Sequence, residues 1–322
     1  MKNKLKTIIL LTVICQLSSV ICFSMDLGFA REDGGRPGAF LSYGAGARSL
    51  AMGKTYVGIA DDSTATYWNP AGLGRLKQPE ITVLHASLYE KTGYSFASAA
   101  YPTVYGVFGA AIVNLNSTGF QLRDEYNYET GEGGVNETAA LISYGVKLPY
   151  LIAGGRPSVG TSLKVVSQNI DTKSATGYGL DTGVYWKGNG KSLPILQPLS
   201  IGLNIQNLVA PRITLIDDTD KYPLALTLGL AYRFLNNNLI TAIDLNKTQD
   251  RQLKVHLGSE YVFAKMLALR AGLDETELTA GLGFTWQNYS LDYAFAYHDA
   301  WAGHEDLGAS HRFGLTVKFG NK

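Results

Sequence analysis

The chain is poor in the features that usually staple or anchor an exported protein. Its two cysteines, Cys15 and Cys22, both fall in an N-terminal targeting segment, so no disulfide holds the rest together. Charge is scarce as well: Asp, Glu, Lys and Arg make up 17% of the residues, below the ~25% of ordinary soluble domains. With 28 basic and 27 acidic residues the net charge is +1, which supplies no long-range field for nucleic acid. Mean hydropathy lies near zero. That excludes a polytopic helical membrane protein, whose spans each need ~20 predominantly apolar residues. It leaves room for a membrane barrel, because barrel strands are only half apolar. What the chain does have is 36 glycines and 19 tyrosines in 322 residues, a supply suited to close-packed strands with interfacial aromatics. The length allows two domains at roughly 150 residues each, or one all-β barrel.

Residues 1–24 read as a secretory signal. Lys2, Lys4 and Lys6 form a basic start, and Ile8 to Ile21 form an apolar stretch of signal length that is short of a full membrane span. Cleavage is expected after Ser24 or after Ala30, with Cys22 and Ser24 or Gly28 and Ala30 as the small residues. Ser19, Val20 and Ile21 do not match what usually precedes a lipidated cysteine. The chain is therefore read as exported.

From Glu80 onward the pattern is period-2 alternation broken by turn residues, with no helical period of any length. Phe313, Leu315, Val317 and Phe319 alternate with Arg312, Gly314, Thr316 and Lys318; Leu224 to Tyr232 and Leu291 to Tyr297 repeat the pattern. The second face is mostly Gly, Ala, Ser and Thr, with a thin scatter of Arg233, Lys254, His256, Arg270, Asp292 and Arg312. A soluble sandwich would charge that face richly. A transmembrane barrel turns its apolar face to lipid and its small or polar face inward, and closure leaves no unpaired edge in hydrocarbon.

Fourteen segments are expected, near residues 80–89, 93–102, 105–116, 137–148, 157–168, 176–187, 198–207, 222–234, 238–246, 252–262, 266–273, 277–287, 289–298 and 307–319. The longest connections, Ser117 to Asn136, Leu208 to Lys221 and Asp299 to Asp306, each join an odd segment to the next even one, so they share a side. Tight turns at Leu235 to Asn238, Ala264 to Lys265 and Asn288 fall on the other, as in outer-membrane barrels. Tyr101, Tyr105, Tyr150, Tyr185, Trp186, Tyr232, Phe234, Tyr261, Phe263, Trp286 and Tyr289 cluster at strand ends as a headgroup girdle would.

The block Gly44 to Leu73 differs from everything after it. Asn69 is a capping residue and Pro70 fits a first helical position, with Gly72 and Gly74 closing a short element. Leu50, Met52, Val57 and Ile59 supply apolar contacts, while Gly44, Gly46 and Gly53 permit close backbone approach. A segment this short forms no core alone, and the place open to it is the barrel interior. The expected fold class is thus an all-β, transmembrane antiparallel barrel of about 14 strands with a short N-terminal plug, divided into 1–24, 25–79 as hatch and 80–322 as barrel.

Gly46-Ala47-Arg48, Ala51-Met52-Gly53, Ala60-Asp61-Asp62 and Asn69-Pro70-Ala71-Gly72-Leu73, in that order ahead of such a barrel, resemble the PorV/PorQ group, itself similar to the FadL family of outer-membrane proteins. Lys54 stands where those relatives commonly carry a second glycine. The resemblance implies a place in the outer membrane of a diderm bacterium, in contact with its lipid, and two functions. The wording of Arg48 to Leu73 is closer to the PorV-like group, which puts that reading first: such a protein assists export or surface attachment of type IX secretion cargo, with secreted proteins bearing type IX signal domains, or secretion and attachment components, as partners. A FadL-like protein is a passive channel for long-chain fatty acids or other hydrophobic compounds, with a hatch in the lumen. A structural or adhesive barrel is the third reading.

The motif positions Arg48, Met52, Gly53, Asp61, Asp62, Asn69, Pro70 and Gly72 are expected to be structural, Arg48 pairing with lumen charge alongside Asp61 or Asp62 to seat the plug. Asp124, Glu125, Glu129, Glu132 and Glu137 mark an acidic external loop, a solvated surface or a partner site. His85 and Ser87 share a strand face but have no orienting third group, so His85 is read as a girdle or lumen residue and catalysis is not expected. His298, Asp299, His304, Glu305 and Asp306 have metal-ligand types without ligand spacing and read as a polar loop. Gly44-Ala45-Gly46 lacks the flanking strand and helix of a nucleotide loop. No cofactor, metal or nucleic acid is expected.

Overall fold

The computed structural model describes residues 36–88, 91–149, 151–152, 154–188, 196–274, 277–298 and 308–320. The signal segment, Tyr150 and Asp299 to Asp306 lie outside the described residues. The described residues form sixteen strands: β1 (Glu80–Ser87), β2 (Thr92–Pro102), β3 (Val107–Arg123), β4 (Glu129–Lys147), β5 (Ser158–Ile170), β6 (Lys173–Lys187), β7 (Leu199–Val209), β8 (Arg212–Thr214), β9 (Thr219–Lys221), β10 (Ala225–Phe234), β11 (Leu239–Thr248), β12 (Leu253–Phe263), β13 (Leu267–Leu273), β14 (Glu277–Trp286), β15 (Tyr289–His298) and β16 (Ala309–Lys318). All but β8 and β9 pair with their sequence neighbours in one closed antiparallel barrel of 14 strands, sealed where β1 meets β16 from Glu80↔Lys318 to Ser87↔His311. β8 and β9 make a small hairpin of their own in the connection after β7.

The alternation read from the sequence sorts the faces correctly. Leu226, Leu228 and Leu230 of β10 are exposed on the outside, while Thr227, Ala231 and Arg233 are buried inside. The same holds for Leu291 and Phe313 against Ala294 and Arg312. Tyr101, Tyr105, Phe234, Tyr261, Phe263, Trp286 and Tyr289 are exposed, and all belong to strand ends or turns on the short-turn rim, so they form a girdle at one membrane face. Tyr185 departs from that expectation. It follows buried Gly183 on the inward face, is 1% exposed, and carries the Arg75 guanidinium 5.4 Å above its ring.

A second correction concerns Ser117 to Asn136. This stretch is no long loop: β3 and β4 stay paired out to Arg123↔Glu129, with irregularities at Thr118/Phe120 and Leu122/Arg123, leaving a turn of residues 124–128. β2 pairs with β3 only as far as Ser117 and β5 with β4 only as far as Val135, so the hairpin tip projects beyond its neighbours. Its acidic groups are thus carried on a stiff two-stranded arm. Glu137 is apart from them, half-buried and accepting a hydrogen bond from Gln168 Nε2 at 3.0 Å.

The segment ahead of β1 runs through the barrel as short turns: Ala39–Tyr43, Ala47–Leu50, Ala65–Trp68 and Pro70–Arg75. Asn69 caps the last of these through its side-chain oxygen, which accepts from the Ala71 N–H at 3.2 Å, with Pro70 at the first position. Leu50, Met52, Val57 and Ile59 are all buried. Around them the wall is thinned to backbone by glycines that face each other across neighbouring strands. Gly145↔Gly160 receives Pro70, Gly202↔Gly229 receives Val57 and Gly58, and Gly258↔Gly272 receives Met52 and Gly53. A Cβ at any of the six would overlap plug backbone. Gly202→Ala is therefore expected to destabilise the folded barrel by at least ~1–3 kcal/mol, the usual cost of overpacking. Gly93→Ala, whose Cβ would meet only His85 at 3.9 Å, is expected to be silent. Heat-modifiable migration on gels over a temperature series measures both.

Candidate functional site

The plug meets the wall through two charged clusters on either side of the Gly258↔Gly272 seat. Inward positions alternate along β12 and β13, so His256 and Asp274 lie on the long-connection side of that seat, and Glu260 and Arg270 on the short-turn side. The turn Met52–Gly53 rests between them as a septum one turn thick.

On the short-turn side Arg48 is the hub. Its Nε and Nη2 donate to the two Glu260 carboxylate oxygens at 2.8 and 2.7 Å, and its Nη1 donates to Asp61 at 2.7 Å and to the Tyr56 hydroxyl at 2.9 Å. Asp62 Oδ2 lies 3.6 Å from the same guanidinium and accepts from the Tyr56 hydroxyl. Arg270 donates to Glu260 and Asp292 at 2.7 Å each, and Arg233 stands 3.6 Å from Asp61. Burial by itself would raise the Asp61 carboxyl pKa, but Arg48 and Arg233 outweigh it and hold the group well below the ordinary carboxylate range. A cavity of about 270 Å³ opens beside this cluster toward the short-turn rim, lined by Arg48, Glu260, Arg270, Gln287, Asp292 and Lys318 among others.

On the other side Lys54 reaches Asp274 at 2.6 Å and Glu277 at 3.9 Å. His256 contacts Asp274 at 3.2 Å, and Glu277 gathers His298 at 3.2 Å and Arg312 at 3.0 Å. Burial would lower the Lys54 ammonium pKa, yet Asp274 and Glu277 outweigh it and hold it above its usual value. Lys54 has φ 63, the left-handed region that glycine tolerates best. The turn thus keeps the glycine-like backbone while a lysine occupies it. Farther round the wall, Asp244 accepts from the Tyr56 and Val57 N–H groups at 2.8 Å each, and Lys164 pairs with Asp181 at 2.9 Å. A cavity of about 160 Å³ opens toward the long-connection rim, walled by β7, β10 and β11 on one side and by Tyr67 and Trp68 of the plug on the other.

Of the motif residues, Arg48, Asp61 and Asp62 come together in the first cluster, Met52 and Gly53 lie on the Gly258↔Gly272 seat, Pro70 sits at the Gly145↔Gly160 seat, and the Asn69 amide lies against Gly183 and Gly202. Gly72 packs on Ala60, where a Cβ would overlap the carbonyl. The partner acids Glu260, Asp274, Glu277 and Asp244 are absent from the sequence reading; their signal was position, Glu260, Glu277 and Asp244 being inward residues of alternating strands and Asp274 the residue just after β13. His85 faces outward and contacts Ser95 Oγ at 3.0 Å, so it is no lumen residue. Among the described residues no group of three or more His, Cys, Asp or Glu could hold a metal ion.

No protein-family model matches the sequence, and no curated protein matches it. Solved structures do match in fold. The Ralstonia pickettii toluene transporter TbuX superposes with TM-score 0.61 at 14% identity, over 86% of this chain and 99% of that one. The Pseudomonas putida toluene transporter TodX gives 0.59 at 14%, over 85% and 97%. A Pseudomonas aeruginosa FadL homologue gives 0.54 at 10%, over 85% and 98%. The chain therefore has the fold of FadL-like outer-membrane barrels, and two of these neighbours, TbuX and TodX, are toluene transporters. They lend no weight to the secretion reading that the sequence put first, and agree better with its channel alternative.

Three substitutions probe the clusters. Lys54→Gly relieves a left-handed residue worth about 1–3 kcal/mol but strips buried carboxylates of their cation, a loss of about 3–5 kcal/mol, so net destabilisation is expected in a thermal melt. Arg48→Met and Glu260→Met are each expected to be strongly destabilising, and the double variant is expected to recover only part of the loss, because Asp61 and Asp62 still lose Arg48 and Arg270 still loses Glu260; a double-mutant cycle reads the coupling directly.

Proposed function

We propose that this protein is a channel in the outer membrane of a diderm bacterium for small hydrophobic compounds, with residues 25–79 as the hatch and 80–322 as the wall. The observation that supports it best is a transporter-like barrel whose lumen holds a cavity toward each rim, with plug residues lining both. The motif residues have structural roles in this reading, and no side chain is assigned to catalysis or to a cofactor. A second reading, assistance to type IX export or surface attachment, is supported by the resemblance of residues 46–73 and by the exposed acidic arm bearing Asp124, Glu125, Glu129 and Glu132. Loss of the gene is expected to slow uptake of radiolabelled toluene by intact cells at limiting concentration, with recovery on complementation. Unchanged uptake, together with recovery of proteins bearing type IX signal domains in a pull-down of the native complex, would replace the channel reading with the second.

A further inference from the structure

The outer face of the wall is not apolar to the same height all the way round. Strands of membrane barrels tilt by about 40°, so each residue climbs about 2.5 Å through the bilayer. Outward residues can therefore be compared at equal count from the aromatic that marks the short-turn rim of each strand. On β10, β14 and β15 the rim residues are Phe234, Trp286 and Tyr289; six residues on stand Leu228, Ala280 and Phe295, and eight on stand Leu226, Leu278 and Tyr297. That face climbs about 20 Å, close to the ~25 Å apolar band of a transmembrane barrel. On β2, β3 and β4 the rim residues are Tyr101, Phe108 and Tyr144, but six residues on stand Ser95, Asn114 and Thr138, followed by Gly93, Asn116 and Asn136. Here the apolar face ends about 10 Å up, at Ala97, Ile112 and Ala140.

The polar positions form one belt that runs across the β1 and β16 seam. Register sets His85 beside Ser95, Ser95 beside Asn114 and Asn114 beside Thr138, while His311 lies beside Ser87. His85 Nδ1 and Ser95 Oγ are 3.0 Å apart, Asn114 Nδ2 donates to Thr138 Oγ1 at 2.9 Å, and His311 Nδ1 meets the Tyr293 hydroxyl at 2.7 Å. These bonds run along the wall and leave the second nitrogen of each exposed imidazole without a partner among the described residues. Hydrocarbon offers nothing to complete it. The wall is also low here, since β1 ends at Ser87 and β2 begins at Thr92, and the turn between them has to reach water. Within the belt there is no arginine or tryptophan of the kind that anchors a protein interface. Hydroxyls, amides and imidazoles that both donate and accept suit water and lipid headgroups.

We propose that this face, from β16 through β1 to β4, thins the outer leaflet, so that lipid headgroups and their water come down to the level of Ser95. A short apolar height is met by local thinning of the bilayer. The proposal concerns the outer surface alone and stands apart from what the lumen carries. The test places a nitroxide at one introduced cysteine in the purified chain, reconstituted in palmitoyl-oleoyl phosphatidylcholine vesicles; both native cysteines fall in residues 1–24, the expected signal. Electron paramagnetic resonance then compares collisions with a water-soluble nickel chelate and with oxygen, which concentrates in hydrocarbon. The nickel-to-oxygen ratio is expected to be several-fold higher at Ser95→Cys than at Leu228→Cys, although both stand six residues from the rim. Equal, oxygen-dominated ratios would overturn the proposal. Shielding of position 95 from both reagents would mean that a second copy covers the face, and nickel access that is lost in native outer membranes would give the face to another protein; either result overturns the assignment to lipid. Adding His85→Leu and Asn114→Leu to the Ser95→Cys chain is expected to bring its ratio down toward that of Leu228→Cys, with heat-modifiable migration checking that each variant is folded. An unchanged ratio would overturn the role given to the belt.

Discussion

The constraint on which the structure depends is that a peptide group left unpaired in hydrocarbon costs several kcal/mol. A sheet can meet it only by closing, and the pairing of β1 with β16 is that closure. Closure then creates a problem of its own. Eight strands enclose about as much space as side chains fill, whereas sixteen or more leave a channel. Fourteen strands leave a lumen too wide for wall side chains alone, and the segment ahead of β1 occupies it.

How the plug is held follows from two kinds of contact with different jobs. The paired glycines let plug backbone lie directly on strand backbone, which brings the two into dispersion contact over many atoms. The ion pairs add little net stability against a well-packed apolar substitute, because desolvation offsets their attraction. Their effect is on alternatives: sliding the plug by one turn would leave Arg48, Glu260, Lys54 or Asp274 buried without its partner. Lys54 shows the balance in one residue, since its backbone strain is outweighed by the carboxylates it neutralises.

Much of this was legible in the chain, and the reasons for the rest are specific. Leu226 to Leu230 and Phe313 to Val317 declare their faces because lipid on one side and a crowded lumen on the other impose opposite chemistry on alternate residues. The arm from Ser117 to Asn136 has water on all sides, so its strands carry no such alternation and read as loop. Tyr185 looks like its girdle neighbours, and only its parity with Gly183 gives it away. In the site, Arg48, Asp61 and Asn69 stand out because they lie within one short motif. Glu260, 212 residues from Arg48, belongs to that cluster through barrel geometry alone, which local pattern does not encode. The glycine seats were present in the sequence as inward positions, but their common height appears only once strand register is known.

The seam between β1 and β16 joins the two ends of the barrel sequence, and the plug is tied to one of them, since it directly precedes β1. A pairing of such long range is slow to form, and the same seam that closes the ring also encloses the segment lying on its glycine seats.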